Sequence, residues 1–513
     1  MTDNHPRRRD VFGLAAGGAA ALALPGAVRA QAPRGSRLRA SNKFNPSSLD
    51  PVVGNAGSDH VSLYPIYATL VEWDYATLQA RPGIAEEWRF PDPLTLVLKL
   101  RPGVLFHDGT PCDADAVKFN LERGMSLSRS AVKADLAAVA TIETRGVDQV
   151  ILHLRLPNTA LPLMLSDRAG MMISPTAARA NPEGFERNPV GAGPWKFVSW
   201  LDGARIVLAR NDAYFKPHLP GVDTLEFTII PELSTGLRSV IAGENDLVIR
   251  LEPPQKTVAE RAKGLVLVTG PTLYVHQFYF NLARPPFDNL KVRQAMNYAV
   301  DRAALNQATM LGLGEIATNA LPKAHWAHDP ALDAAYPHDP AYARRLLTEA
   351  GLPNGLDVKS SGYSDQTAQQ RQEVLIEQFA KAGIRLQFNR VPIAQGGTSF
   401  FGPEKRNDCT LSAWTGRPDP SLTFSLMFSQ EGYFNTGHVQ PVAELPAAMA
   451  AAQATDDIDQ RREAFALVQK LVADNALFCP LLFDPEIDVH GPQVRNFRPN
   501  LLGKPKFEEV VLA

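Results

Sequence analysis

A mixed α/β fold in two lobes is predicted by three observations on the sequence. The chain has 513 residues, 45% hydrophobic and 21% charged, which is globular composition and far too long for one core. Strand, helix and strand patterns follow one another at residues 225–230, 234–241 and 246–249, the signature of a mixed sheet. At Ala283-Arg-Pro-Pro-Phe287 a strand-rich first half gives way to long amphipathic helices, and this marks a seam between lobes.

The N-terminus is a processing segment. Arg7-Arg8-Arg9-Asp10-Val11-Phe12 precedes an apolar run over residues 13–24, and Val28-Arg29-Ala30 offers a small-x-small cleavage site. Charged region, short apolar region and cleavage site together make a signal peptide, and the arginines resemble the twin-arginine export motif. The apolar run is too short and Gly-rich for a membrane anchor, which needs about 20 residues. Residues 1–30 are therefore excluded from the fold, with cleavage expected near Ala30, and no cysteine lies there to carry a lipid.

Formal net charge is -2 and no Lys/Arg block follows the leader, so nucleic acid is not expected as a partner. Cys112, Cys409 and Cys479 are too few for a disulfide scaffold. Cys409 and Cys479 lie in apolar runs and are read as buried free thiols, with a bridge between them as the alternative.

Taken in order, residues 36–40 form a short strand and Asn45-Pro-Ser-Ser-Leu-Asp-Pro51 a turn. Residues 58–70 read as a helix interrupted by Pro65. Residues 95–100 are a strand, Phe106-His107-Asp108-Gly109 is a turn, and Asp113 caps a helix that ends at Gly124. His107 beside Asp108 is read as a hydrogen-bonded turn rather than a catalytic or metal pair. Residues 149–156 are a strand. Asn188-Pro-Val-Gly-Ala-Gly-Pro-Trp195 is an irregular loop able to approach another segment closely, and it lacks the spacing of a phosphate loop.

Strands follow at 204–210 and 225–230, and a long one at 273–281 carries Tyr274, His276, Phe278 and Phe280 on one side. Helices are expected at 290–308, from Asp339 to Gly351, at 373–382 and at 459–473. Strands are expected at 384–391 and 477–483. There is no internal repeat.

The stretch Cys409-Thr-Leu-Ser-Ala-Trp-Thr-Gly-Arg-Pro-Asp-Pro420 alternates as a strand and then breaks at Gly416. It delivers an aromatic face and a forked cation from a rigid edge. Two readings of Arg417 stay open: a small-ligand contact, or an ordinary strand end in which Arg417 pairs with Asp419.

These pieces resemble the family-5 solute-binding proteins of ABC importers, which include dipeptide, oligopeptide, glutathione and nickel receptors. The matching blocks include Ser48-Leu49-Asp50-Pro51, Leu98-Lys99-Leu100-Arg101-Pro102-Gly103-Val104, Phe106-His107-Asp108-Gly109-Thr110-Pro111 and Asn188-Pro189-Val190-Gly191-Ala192-Gly193-Pro194-Trp195. They continue with Ala242-Gly243-Glu244-Asn245-Asp246, Val292-Arg293-Gln294-Ala295, Ala299-Val300-Asp301-Arg302 and Glu349-Ala350-Gly351. The resemblance implies a periplasmic binding protein-like α/β fold, two lobes joined by a two-strand hinge, with an extra inserted domain. It places domain I at 31–67, 188–281 and 487–513, the insert at 68–187 and domain III at 282–486. It implies a monomeric periplasmic receptor that hands a small solute to ABC permease subunits, with no cofactor.

In the peptide-binding members the position matching Arg417 resembles an aspartate receptor for the free amine. Arginine there disfavours a simple peptide held in the usual way and suits a carboxylate, as in a glutathione-like or opine-like solute or a carboxylate-bearing metal chelate. Around Arg417 the expected contacts are Trp414 as a stacking wall, Thr415 and Gly416. Tyr433 and Asn435 come from a loop expected to face the cleft, Tyr274 and His276 from the crossing strand, and Asn55 from the segment after the Ser-Leu-Asp-Pro turn.

No catalytic residues are assigned. A secreted hydrolase is the rival class, but neither Gly-x-Ser-x-Gly nor His-Glu-x-x-His occurs. A second rival is a binder that senses or chaperones without a transporter. His325-Trp-Ala-His328 with His338 lacks carboxylate or cysteine support, and no metal site is assigned.

Overall fold

The computed structural model describes residues 35–513 except 55, 393, 394, 396–398, 403 and 404. The leader reading and the Asn55 candidate lie outside the described residues.

Eleven strands make one large mixed sheet. Its order starts Ile384–Val391, Leu356–Tyr363, Cys409–Trp414, Val266–Phe280 and Phe478–His490. It continues Leu247–Val248, Arg37–Asn42, Thr224–Ile229, Arg205–Arg210 and Trp195–Leu201, with Glu315–Ile316 pairing beside Phe478–His490. Two lobes thus share a sheet, and the two longest strands join them.

The join has a local cause. Val266–Phe280 and Phe478–His490 are antiparallel, with Pro271 directly opposite Pro485. Neither proline carries a ladder donor, and the register shifts between Pro271 and Val275. The pairing is weakest where the chain crosses.

Away from the join, each lobe has its own core. Leu38, Ala40, Leu208, Leu225, Phe227 and Trp195 are buried together on one side. Beyond the join, Phe278, Val358, Phe379, Ile384 and Leu481 form another cluster, and Trp414, Phe424, Phe465 and Phe478 a third. A separate antiparallel sheet runs Ala85–Asp92, Thr95–Leu100, Gln149–Leu154, Val139–Arg145. The helix Ala114–Ser126 packs Val117 and Leu121 into the same core as Leu96, Leu98 and Leu152, and Asp113 caps it by accepting from Ala116 N at 3.0 Å.

Several elements differ from expectation for visible reasons. The helix predicted at 58–70 is His60–Ile66, and Tyr67 is extended. Gly193 N donates to Ile66 O at 2.9 Å, and a Cβ on Gly191 would lie 2.1 Å from the same oxygen. The glycine-rich loop therefore packs on the helix end and diverts the chain. His107 pins that loop: its Nε2 donates to Gly193 O at 3.0 Å and its Nδ1 accepts from Gly191 N at 3.3 Å.

The single helix predicted at 290–308 is two, Leu290–Ala299 and Arg302–Met310. Asp301 caps the second through Ala304 N at 2.9 Å. Gln378 completes the break, accepting from Asp301 N and donating to Asp301 O, both at 3.0 Å. The helix predicted at 373–382 starts earlier, at Gln366, because Asp365 caps Ala368 N at 3.0 Å. The strands predicted at 273–281 and 477–483 extend to Val266–Phe280 and Phe478–His490. Cys112, Cys409 and Cys479 are free buried thiols. No helix among the described residues is long and apolar enough to cross a membrane.

Candidate ligand-binding cleft

The strand Cys409–Trp414 carries the candidate site to the end of the sheet, where Trp414 pairs with Val275. Gly416 then turns the chain with φ of +72°, and a Cβ there would sit 2.3 Å from Leu273 Cβ. Only glycine fits. Asp419 follows as the cap of the helix Pro420–Phe428, accepting from Ser421 N at 2.9 Å.

Asp419 does not pair with Arg417. Its carboxylate is fully buried and held by Arg461 Nη2 at 2.9 and 2.8 Å. Arg417 instead lies 4.7 Å over the Trp414 ring. Its Nη1 donates to Gly416 O at 2.9 Å and Thr415 Oγ1 at 3.4 Å. It is half-buried and has no ion pair among the described residues. Trp414 is therefore a platform whose face the guanidinium covers, and its Nε1 donates to Thr423 Oγ1 at 3.2 Å.

Distant parts of the chain pack beside this turn. Thr415 abuts Gly57, where a Cβ would meet Thr415 Cγ2 at 2.9 Å. The carbonyls just before Gly57 hold Arg168, whose guanidinium donates to Gly54 O at 2.6 Å, Ala56 O at 2.5 Å and Asp59 at 3.0 Å. Next to it Asp167 accepts from Lys504 Nζ at 2.9 Å and faces His60 Nε2. Burial alone would raise the Asp167 carboxyl; His60 and Lys504 outweigh it and hold the group well below the usual range. Burial pushes the Lys504 ammonium down to about 8, against the pull of Asp167. The Arg417 charge acts on Asp167, Lys504 and the half-buried Asp135. Burial pushes the Asp135 carboxyl up to about 7, with Arg417 opposing and Asp167 adding to the shift.

The other predicted residues fall in two places. Asn435 is buried and donates to Ser429 O at 3.0 Å and Val439 O at 2.8 Å, so it braces its own loop. Tyr433 is 48% exposed and packs edge-on against Phe434, which in turn packs edge-on against Trp414. Tyr274 and His276 lie on the opposite face of their strand from Val275, in a charged array at the join. Arg250 sits 4.8 Å over the Tyr274 ring. His276 Nε2 faces Asp484 at 2.9 Å and its Nδ1 accepts from Arg371 at 3.1 Å. Burial, then Arg371, lowers the His276 pKa. A cavity of about 300 Å³ also borders the join, lined by Lys256, Pro271, Glu315, Phe483 and Asp484. None of the predicted contacts lines it.

The sequence reading missed Asp135, Asp167, Arg168, Lys504 and His60. One signal was present: Asp167-Arg168 interrupts the largely apolar stretch 160–173, a charged dipeptide where burial demands partners.

His328 Nε2 faces Asp333 at 3.0 Å, His338 Nδ1 faces Asp301 at 3.6 Å and buried His325 accepts from Ala327 N at 3.0 Å. Each histidine serves a separate local contact.

Two lobes that share one sheet and are joined by its two longest strands define a two-lobed α/β fold of the binding-protein type. Residues 79–436 match the bacterial extracellular solute-binding proteins, family 5, middle region. The chain belongs to this family. It is 27% identical over 471 residues to the glutathione-binding protein GsiB of Escherichia coli K12, covering 88% of this chain and 90% of that one. It is similar in fold to the periplasmic binding protein AgaA of A. tumefaciens R10, solved with agropinic acid: TM-score 0.84, 22% identity, 93% of this chain and 99% of that one. DppA of Helicobacter pylori, solved with the peptide STSA, gives TM-score 0.84 at 21% identity over 93% and 98%.

Proposed function

We propose that this protein is the periplasmic receptor of an ABC importer and that its solute carries a carboxylate received by Arg417. The observation that supports this reading is that Asp419 is consumed by Arg461, which leaves Arg417, lying over Trp414, without an ionic partner among the described residues. Each charge-assisted hydrogen bond from such a fork contributes about 1.5–3 kcal/mol. GsiB binds glutathione and AgaA was solved with agropinic acid, and a glutathione-like or opine-like solute fits the same requirement.

Thr415, Gly416, Trp414 and Tyr433 surround Arg417 in this reading, while Tyr274 and His276 act at the hinge. The protein works as a monomer, exported with its leader removed near Ala30, and binds rather than catalyses. The division into 31–67, 188–281 and 487–513, the insert 68–187, and 282–486 is supported by the separate core of the four-stranded sheet. A calorimetric screen tests the ligand class. Carboxylates should bind, and Arg417→Ala should weaken them by about 1.5–3 kcal/mol while lowering apo stability by about 1 kcal/mol or less. Tight binding of free-amine dipeptides with no binding of other carboxylates overturns the reading.

A further inference from the structure

We propose that the cavity at the join of the two lobes is a second binding site, separate from the Arg417 turn, that takes a small uncharged aromatic molecule and holds the lobes in contact. Its occupancy is independent of the Arg417 reading, while its effect on closure rests on the reading of the protein as a two-lobed receptor.

The cavity follows from how the sheet is divided. On its edge away from Val266–Phe280, the strand Phe478–His490 is paired by Glu315–Ile316 at Phe483 and Leu482, and by Leu247–Val248 at Val489 and His490. Among the described residues no strand pairs with 484–488 on that edge. Pro271 and Pro485 face each other at the same level and supply no backbone donor. A space of about 300 Å³ remains.

The floor of this space is one face of two paired strands. Thr269 is opposite Ile487 and Pro271 opposite Pro485, and alternate residues share a face, so Phe483, Pro485 and Ile487 line it together. Lys256, from the helix Pro253–Arg261, stands on one side and Leu313-Gly314-Glu315 on the other. In the division proposed above, these two walls belong to different lobes.

The lining sets the class of occupant. Its charged side chains are already engaged: Lys256 pairs with Glu260, Glu315 Oε1 accepts from Lys323 N at 2.7 Å, and Asp484 faces His276 Nε2 at 2.9 Å. Thr272 Oγ1 donates to Asp484 O at 2.6 Å. An added anion meets Glu315 and Asp484, an added cation meets Lys256, and neither is offered an unpaired counter-charge. What the space offers instead is apolar surface from Pro271, Leu313, Phe483, Pro485 and Ile487. A dry cavity of about 150 Å³ takes benzene, so this larger one suits a two-ring aromatic.

Position gives the site its effect. The lobes touch in this arrangement, through Gly57 against Thr415 and through Thr367 Oγ1 donating to Glu252 Oε2 at 2.7 Å. Because the walls come from opposite sides of the join, swinging the lobes apart changes the spacing between them. A molecule that touches both walls therefore favours the arrangement with this spacing.

The test is calorimetric titration of the full mature protein with indole, and with indole-3-acetate and tryptamine as its anionic and cationic counterparts. Indole should bind with a dissociation constant below about 1 mM, and both charged compounds about tenfold or more weakly than indole. Leu313→Glu should weaken indole about tenfold or more, and Leu313→Trp, which fills the space, should abolish its binding. Leu313 is 37% exposed, so the apo urea midpoint of each variant should stay near wild type. Saturating indole should also lower the radius of gyration of the solute-free protein in solution scattering. Absence of indole binding, or binding that both Leu313 variants leave unchanged, overturns the site. Charged compounds binding as well as indole overturn the class of occupant, and an unchanged radius with indole bound overturns the hold on the lobes. Each of these failures leaves the Arg417 reading standing, since that reading is decided by carboxylates and not by indole.

Discussion

Replacing Arg461 by methionine should cost far more stability than replacing Arg417 by alanine, although both arginines lie close to Asp419 in the cleft wall. The Asp419 side chain is 0% exposed and that of Arg461 9%. Arg461 also donates to Ala452 O at 3.1 Å and lies 5.2 Å over Trp326. Removing it strands a buried carboxylate, at a cost of about 3–5 kcal/mol. Arg417 loses one backbone hydrogen bond and a half-exposed contact with Trp414, together about 1 kcal/mol or less. Urea unfolding of the apo protein, followed by tryptophan fluorescence, measures both through the transition midpoint at constant slope. Adding Asp419→Asn to Arg461→Met should recover part of the loss, because the uncompensated charge is gone. The reasoning is refuted if Arg417→Ala is as damaging as Arg461→Met, or if Arg461→Met stays within about 1 kcal/mol of wild type, the scale of one ordinary hydrogen bond.

Burial pushes the His107 pKa down to about 4 and that of His325 to about 3, from 6.5. A base depressed in the folded state binds its proton first in the unfolded chain, so stability present above pH 6.5 is lost as pH falls towards 4. The slope is up to about 1.4 kcal/mol per pH unit for each group. His325→Gln should flatten part of that slope in urea midpoints taken between pH 7 and 4.5, and parallel curves for variant and wild type would contradict it. Thr159 N donates to Gln453 O at 2.9 Å and its Oγ1 to Thr455 O at 2.6 Å, contacts that tie the loop after Gln149–Leu154 to the one before the helix Ile458–Asp474. Thr159→Val should lose about 0.5–1.5 kcal/mol of closure energy, read in solution scattering as a larger apo radius of gyration that saturating ligand restores. An unchanged radius in both states would count against lobe closure.

Periodicity and caps reached much of the fold. Asp113 and Asp339 cap the helices they were expected to cap, and alternation located Thr95–Leu100 and Ile384–Val391 as strands. The misses came from tertiary partners that no local pattern carries. Gln378 stabilises a break at Asp301 from 77 residues away, and Gly191 and Gly193 end a helix far upstream. The site divides in the same way. Arg417 stood out as a candidate because a forked cation after a Trp-x-Gly turn is a local feature, yet the pairing of Asp419 beside it was decided by Arg461, 42 residues further on. Asp167 and Lys504, 337 residues apart, meet only through the fold, so spacing offered no route to their pairing.

The most direct test of the account is mass spectrometry of the small molecule released when protein purified natively from its source cells is denatured. A solute carrying a carboxylate, recovered from wild type and depleted from Arg417→Ala, is the predicted result. A ligand with no anionic group, held equally by both proteins, would contradict it.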